Sequence, residues 1–145
     1  MTKKSRLSEI HILVVDDDAM VRSILTQFLQ RFGFKNVVDV KDGKDALKYV
    51  QDNEERLDLV ISDWEMPEAD GLTVLKAIRK HPRRQSTKFI MVTSQGSRER
   101  IKITQAARWR VDAYLVKPFK GETLREKLIE VLGDDIEKEL EPLAS

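Results

Sequence analysis

Apolar residues follow two alternating patterns along the chain, one typical of buried strands and one typical of amphipathic helices. Short runs of consecutive apolar residues indicate strands that are buried on both faces, as in a parallel sheet. Each run is followed by apolar residues spaced three and four positions apart, which is the period of a helix with one buried face. The predicted strands are residues 10–15, 37–40, 57–61, 89–92 and 113–116.

Five predicted helices follow these strands. Gly33 ends the first helix, and Asp42 and Gly43 form a turn before the second. Because each parallel connection requires a right-handed crossover, the pattern predicts an α/β fold: a doubly wound, five-stranded parallel sheet with five helices. The helical apolar positions are Val21, Ile24, Leu25, Phe28, Leu29 and Phe32; Ala46, Leu47 and Val50; Leu72, Leu75 and Ile78; Ile101, Thr104 and Ala107; and Leu124, Leu128, Val131 and Leu132.

Composition restricts the class of protein. The 145 residues, 41% hydrophobic and 35% charged, indicate a soluble domain with a real core. The absence of cysteine excludes disulfides and thiolate metal sites, and two histidines leave little for zinc. No apolar run approaches the ~20 residues of a membrane span, and the first nine residues lack a signal-peptide core. We therefore expect a cytoplasmic, monomeric protein that uses neither membrane nor nucleic acid.

The chain divides into an N-terminal extension (1–9), a domain (10–132) and an acidic tail (133–145). Ile136, Leu140 and Leu143 recur in the tail at i, i+4 and i+7, so residues 135–141 have the pattern of a short helix with one apolar stripe. A free helix of this length is marginal in water. Two alternatives follow: the tail frays, or it docks by charge on a basic segment around Arg108 and Arg110.

The stretch 57–71 organises the rest of the chain. Its apolar run leads to Asp63, and Pro67 biases Met66 away from helical angles, so residues 64–70 are predicted to form a loop before a helix opens at Gly71. This order places Asp63 at the carboxyl end of a buried strand. Ligands of open α/β sheets bind at that edge.

Side chains at the ends of four strands are suited to hold a metal ion and a phosphoryl group. Asp16 and Asp17 follow the first strand, Asp63 the third, Thr93 the fourth and Lys117 the fifth. Three carboxylates at one edge repel each other unless a cation joins them, and Mg²⁺ suits such oxygen ligands. Lysine and hydroxyl donors would complete a phosphoryl site. Considered one at a time, each of these residues could also have a purely structural role: the Asp residues as helix caps, Thr93 as a strand terminus and Lys117 as a surface charge.

Four motifs, LVVDD, ISDWEMPEADGL, MVTS and YLVKPF, occur in this order. Together they resemble the receiver domains of response regulators in bacterial two-component systems, particularly the CheY-like single-domain proteins. The likeness covers roughly residues 10–132. It implies a flavodoxin-like sheet with strand order 2-1-3-4-5 and a phosphorylation-dependent signalling switch.

The resemblance also implies a role for individual residues. Asp63 accepts the phosphoryl group from a sensor histidine kinase or a phosphotransfer protein, Thr93 and Lys117 contact that group, and Tyr114 turns inward when Thr93 moves. Lys117 precedes a cis peptide bond to Pro118. The implied Mg²⁺ ligands are Asp16, Asp17, Asp63 and Glu65.

The sequence leaves the downstream function and the role of one basic segment open. The downstream partner could be a protein such as the flagellar motor switch, the chain could pass phosphate along a relay, and a Mg²⁺-dependent phosphatase is a weaker alternative because Asp16 and Asp17 are adjacent. The resemblance implies no enzyme activity beyond the domain's own phosphoryl transfer and dephosphorylation. Arg110 stands where the family usually has glycine. The surrounding basic segment, with Trp109, is either a solvated helix face or a docking site for an acidic partner.

Overall fold

The fold is a five-stranded parallel sheet with strand order β2-β1-β3-β4-β5. The computed structural model describes residues 6–52, 54–94 and 100–143, and at residues 100 and 101 only the backbone. The predicted fold class and strand order are confirmed. The strands are β1 His11–Val15, β2 Asn36–Val40, β3 Leu59–Asp63, β4 Lys88–Ser94 and β5 Ala113–Lys117. The helices are α1 Ala19–Phe32, α2 Gly43–Asp52, α3 Gly71–Lys80, α4 Arg100–Arg108 and α5 Gly121–Leu132, with 3-10 turns η1 Arg6–Glu9 and η2 Asp134–Ile136.

Local sequence explains where the helices begin and end. The Asp18 carboxylate caps α1 by accepting hydrogen bonds from the backbone N–H groups of Met20 and Val21. Gly33 ends α1 in the left-handed region, with φ of 114°. Asp70 caps α3 in the same way, through the N–H of Thr73.

The sheet separates two hydrophobic cores. One lies under α1 and α5 and includes Leu25, Phe32 and Leu128. The other lies under α2, α3 and α4 and includes Val50, Leu75 and other buried residues. Strand β3 is buried at all five positions, which accounts for the consecutive apolar residues 59–61 that precede the buried polar residues Ser62 and Asp63.

Several predicted elements differ in detail from the structure, and the third strand, predicted over 57–61, is observed at Leu59–Asp63. Gly43 was expected in a turn, but it is the first residue of α2, because Asp42 accepts hydrogen bonds from the N–H groups of the first helical turn. Helix α4 buries Ala106, whereas Thr104 and Ala107 of the predicted apolar face are exposed. The few large apolar side chains of α4 define no clear stripe, so periodicity selected the wrong face.

The acidic tail packs on the domain at a place that the sequence did not indicate. Ile136 and Leu140 are buried in the core under α1 and α5, and the Glu141 N–H donates to the Phe32 carbonyl at 2.9 Å. Arg6 donates to both carboxylate oxygens of Asp135, at 2.8 and 2.7 Å. Both proposals for the tail, fraying and docking at Arg108 and Arg110, are therefore wrong. Burial of its apolar residues outweighs the attraction between exposed charges.

We call the tail residues 134–143 together with η1 the terminal clasp. Its Leu143 lies against Gly121 and Phe28, so the clasp runs along the side formed by α1 and α5. In the part of the chain that is described, no helix is both long and apolar enough to cross a membrane.

Candidate functional site

The carboxyl edge of the sheet brings together the strand-end residues singled out in the sequence. Asp16 directly follows β1, Asp63 is the last residue of β3, and Lys117 is the last residue of β5. Thr93 lies in β4, one position beyond Val92, which pairs with Asp63. Residues spread over more than a hundred positions thus meet at one edge because all five strands run in the same direction.

Three carboxylates form a compact group at this edge. Asp16, Asp17 and Asp63 each offer one oxygen, and these oxygens lie within 4.8 Å of one another. Asp16 and Asp63 are buried, whereas Asp17 is exposed. Buried like charges at such separations are unfavourable unless a cation neutralises them.

Lys117 supplies a positive charge to the group. Its Nζ atom lies 3.2 Å from Asp16 Oδ2 and 3.4 Å from Asp63 Oδ1. Burial lowers the pKa of Lys117, but the charges of Asp63 and Asp16 more than offset this, so the pKa is raised overall. The ammonium group is therefore charged at neutral pH and faces both buried carboxylates.

The pKa of Asp63 is raised from 3.8 to about 6. Burial is the largest cause, the charge of Asp16 adds to it, and Lys117 acts in the opposite direction. At neutral pH the carboxylate is mostly ionised, as a nucleophile must be, yet it is held in an environment that disfavours its charge.

The carboxylate group fits a hard divalent cation. Asp16 Oδ2 is fully buried, and among the described residues none donates a well-oriented hydrogen bond to it, although Lys117 Nζ is near. Asp16 Oδ1, by contrast, accepts from the Asp18 N–H at 2.8 Å. An acceptor without a hydrogen bond beside two further carboxylates matches the oxygen donor set of Mg²⁺.

Close packing fixes the position of the Asp63 backbone. Gly71, the first residue of α3, donates its N–H to the Trp64 carbonyl at 2.8 Å. A Cβ atom at Gly71 would lie 2.5 Å from the Asp63 carbonyl oxygen and 2.7 Å from Met91 Sδ. Glycine is therefore needed where the helix meets the end of β3.

The other predicted residues occupy distinct places. Thr93 is half-buried, and the peptide bond between Lys117 and Pro118 is cis. Tyr114 is half-buried, and its hydroxyl donates to the Ile103 carbonyl of α4 at 3.4 Å. Glu65 lies outside the carboxylate group: its Oε1 accepts a hydrogen bond from Lys102 Nζ at 3.2 Å. Its part in metal binding stays a prediction.

Two basic residues lie near the site, and the sequence did not indicate their roles there. Arg22 donates to the Asp16 carbonyl at 2.8 Å and to Asp39 Oδ2 at 2.9 Å, so it anchors the loop after β1. Lys102 lies 5.8 Å from the centroid of the Trp64 ring, in addition to its contact with Glu65. Neither stands in a recognisable motif. Only the position of Arg22, four residues after Asp18 on the first turn of α1, could have suggested its role.

Comparison with known proteins identifies the family of the chain. The family model for the response regulator receiver domain matches residues 12–129. The chain belongs to this family. Receiver domains are parts of two-component signalling systems and act as signalling proteins rather than classical enzymes, which leaves the phosphatase alternative without support.

Individual relatives agree with this assignment. The receiver domain is 36% identical over 122 residues to a chemotaxis protein CheY homolog from Campylobacter jejuni, covering 84% of this chain and 92% of the relative. It superimposes on chemotaxis protein CheY4 of Vibrio cholerae with a TM-score of 0.75 at 31% identity, covering 84% and 98% of the two chains.

A more distant structure shares the fold. The receiver domain of the sensor histidine kinase PA1611 from Pseudomonas aeruginosa matches with a TM-score of 0.73 at 24% identity, over 85% of this chain and 97% of that chain. That structure is described with a magnesium ion coordinated in its active-site cleft.

Proposed function

We propose that Asp63 is the phosphoacceptor of a phosphorylation-dependent switch. The supporting observation is the position of its carboxylate, which ends a central strand, lies 3.4 Å from Lys117 and belongs to a group of three Asp side chains. The donor is a phosphohistidine on a sensor histidine kinase or a phosphotransfer protein.

The reaction is a direct phosphoryl transfer. An oxygen of the ionised Asp63 carboxylate attacks the phosphorus, the P–N bond to the donor histidine breaks, and the imidazole leaves with the electron pair and takes up a proton. The product is an acyl phosphate on Asp63. Lys117 is positioned to pair with a phosphoryl oxygen, and its permanent charge requires no proton transfer.

Asp16, Asp17 and Asp63 are the residues that would hold Mg²⁺. When bound, the ion would neutralise charge that develops on the phosphoryl oxygens. A receiver domain of the same fold has magnesium in its cleft, which supports the proposal. Hydrolysis of the acyl phosphate at the same site would return the switch to its resting state.

The output is a change of the surface formed by α4, β5 and α5. Thr93 would move its hydroxyl onto the phosphoryl group, and Tyr114 would turn into the space left behind, losing its present hydrogen bond to the Ile103 carbonyl. The likeness to chemotaxis relatives supports a downstream protein partner of the chemotaxis type. The flagellar motor switch is one such target, and onward transfer in a phosphorelay is the other use of the same chemistry.

Intact-mass measurement tests the assignment of Asp63. The protein is incubated with a small phosphodonor and Mg²⁺, and we expect one phosphoryl adduct that is absent from Asp63→Asn and from samples with excess chelator. Asp58→Asn is the matched control, because Asp58 precedes the same strand and lies at the opposite edge of the sheet. An adduct that persists in Asp63→Asn would contradict the proposal.

Fluorescence of Trp64 tests the metal site. Trp64 is buried beside Asp63, so Mg²⁺ binding should change its emission. We expect Asp17→Asn to weaken Mg²⁺ binding by about tenfold or more, which corresponds to roughly 1.4 kcal/mol, whereas Asp18→Asn should retain the affinity because Asp18 caps α1. Equal affinities in Asp17→Asn and the parent protein would exclude Asp17 as a ligand.

A further inference from the structure

The near-zero net charge of the chain conceals a strong separation of charge. Residues 71–111 contain eleven Lys and Arg residues and a single acidic residue, Glu99, so their formal charge is +10. The rest of the chain has fifteen basic and twenty-four acidic residues, a formal charge of −9, which leaves +1 for the whole. The basic segment corresponds to α3, β4, α4 and their connections. These elements are not the ones that hold the three carboxylates.

Within this segment, several cations gather around one aromatic ring. Lys76 Nζ and Lys80 Nζ lie 5.6 and 5.3 Å from the centroid of the Trp109 ring. Arg108 and Arg110 flank Trp109 in sequence, and both are exposed, as is Lys80. We call these five residues the basic face. Contacts of cations with the ring face partly offset the repulsion between the two lysines.

The backbone beneath the basic face is held by a buried arginine. Arg79 donates to the carbonyl oxygens of Trp109 at 3.0 Å and Arg110 at 2.7 Å, and to Asp112 Oδ2 at 3.3 Å. It also donates to the Thr87 carbonyl, so one guanidinium ties the end of α3 to the connections before β4 and β5. The cations are therefore presented on a fixed base and not on a loose loop.

A groove between α2 and α3 adjoins the basic face. Its volume is about 600 Å³, and Lys76 and Lys80 are among the residues that line it. Apolar groups also contribute to its wall, so the groove combines positive charge with an apolar surface. The remaining lining residues are Leu47, Gln51, Thr73, Ala77, His81 and Pro82.

We propose that the basic face and its groove bind an acidic segment of a partner protein, one that carries an apolar side chain among its carboxylates. The carboxylates would pair with Lys76, Lys80, Arg108 and Arg110, and the apolar side chain would enter the groove beside Leu47. This surface goes beyond the proposed phosphorylation function, since it lies away from Asp63 and needs no phosphoryl group. It would give the domain a docking site for a partner independent of the switch.

Charge complementarity favours a short acidic peptide over a nucleic acid. A polynucleotide carries negative charge along its whole length, so it would also be repelled by the rest of the chain, whose formal charge is −9. A short acidic segment contacts only the basic face. Trp109 is also only half exposed, and Lys76 Nζ and Lys80 Nζ lie 5.6 and 5.3 Å from its ring centroid, so a stacking base would compete with these contacts.

Fluorescence anisotropy with a labelled peptide of repeated Glu-Glu-Leu triplets tests this proposal. We expect the full-length protein to bind it at low ionic strength, with affinity falling as salt approaches physiological strength. The triple variant Lys80→Gln, Arg108→Gln, Arg110→Gln should bind roughly tenfold more weakly or worse. The control variant Arg31→Gln, Lys35→Gln, Lys138→Gln loses the same charge from exposed sites elsewhere and should stay within about twofold of the parent protein.

Further probes separate the alternatives. A peptide of Gln-Gln-Leu triplets should not bind, and one of Glu-Glu-Ala triplets should bind more weakly, because it lacks the apolar side chain. Equal loss in the two triple variants would overturn the proposal, since net charge alone would then explain binding. Tighter binding of a labelled single-stranded oligonucleotide, or self-association that the first variant abolishes, would overturn it in favour of nucleic acid or a second copy. Asp63 phosphorylation by the small phosphodonor should be the same in both variants, so this test and that of Asp63 fail independently.

Discussion

Two helices of this receiver domain end with the same hydrogen bonds but with different residues. At the end of α1, the Phe34 N–H donates to the Leu29 carbonyl and Gly33 has a φ of 114°. At the end of α4, the Val111 N–H donates to the Ala106 carbonyl in the same pattern, but the left-handed position is Arg110, with a φ of 58°. Glycine adopts this conformation freely and arginine does not. Helix α1 therefore ends without strain, and α4 retains some.

The difference extends to how firmly the two regions are packed on the sheet. On the side of α1 and α5, the terminal clasp adds Ile136 and Leu140 to an already large core. On the other side, Ala106 is the one buried residue of α4 among residues 102–108, where side chains are described. Large apolar side chains hold α1, α5 and the terminal clasp. Helix α4 is held by the small side chain of Ala106 and, just after its last residue, by the hydrogen bonds that Arg79 donates to the backbone.

This asymmetry suits a switch. A surface that changes on phosphorylation must exchange two arrangements that differ by a few kcal/mol, so its elements cannot be held by extensive burial. Helix α4, with one buried side chain among residues 102–108, and the half-buried Tyr114 of β5 are weakly held. The clasped side provides the rigid frame against which they can move.

The largest effect on stability is expected from shortening a buried side chain of the terminal clasp. Ile136→Ala should lower the free energy of unfolding by about 2–5 kcal/mol, because the side chain is 0% exposed in the core. Ile103→Ala on α4 is the matched control, since Ile103 is 49% exposed, and we expect a change within about 0.5 kcal/mol. Urea unfolding followed by circular dichroism measures both. Equal losses would show that α4 is held as firmly as the terminal clasp.

An intermediate effect on stability is expected from replacing Asp63, at the end of the central strand β3. The folded-state pKa of about 6 exceeds the ordinary value of 3.8, so this group favours folding below pH ~4, and that contribution is lost as the pH rises through about 6. In chelator at about pH 7.5, Asp63→Asn should therefore raise the free energy of unfolding by on the order of 2 kcal/mol. The gain should shrink towards about pH 4.5. A gain that does not change with pH would have another origin than ionisation.

The smallest effect is expected at the helix ends themselves. Arg110→Gly should stabilise the protein by roughly 0.5–1 kcal/mol, because relief of the left-handed conformation exceeds the extra freedom of glycine in the unfolded chain. Gly33→Ala is the reciprocal change and should destabilise by about 1 kcal/mol, with Leu7 Cδ1 only 3.1 Å from the added Cβ. The midpoints of urea unfolding curves resolve shifts of this size. Destabilisation by Arg110→Gly would mean that the arginine side chain contributes more than its backbone costs.

The sequence determined the order of strands and helices because burial on two faces and burial on one face leave different periods in the chain. It also singled out Asp16, Asp17, Asp63 and Lys117, since parallel strands bring their carboxyl ends to one edge. The strand order itself came from family resemblance, because periodicity is local and cannot say which strands become neighbours.

Only the tertiary structure decided which acidic residues do what. Asp18 looks like its neighbours Asp16 and Asp17 in sequence, but it caps α1, whereas the Glu65 carboxylate contacts Lys102. The same is true of the tail. Its charges suggested docking near Arg108 and Arg110, but its apolar residues pack in the core under α1 and α5. These choices depend on which groups meet across the fold, where burial of a few apolar side chains outweighs exposed ion pairs. Such contacts form between residues far apart in the chain, so no local pattern records them.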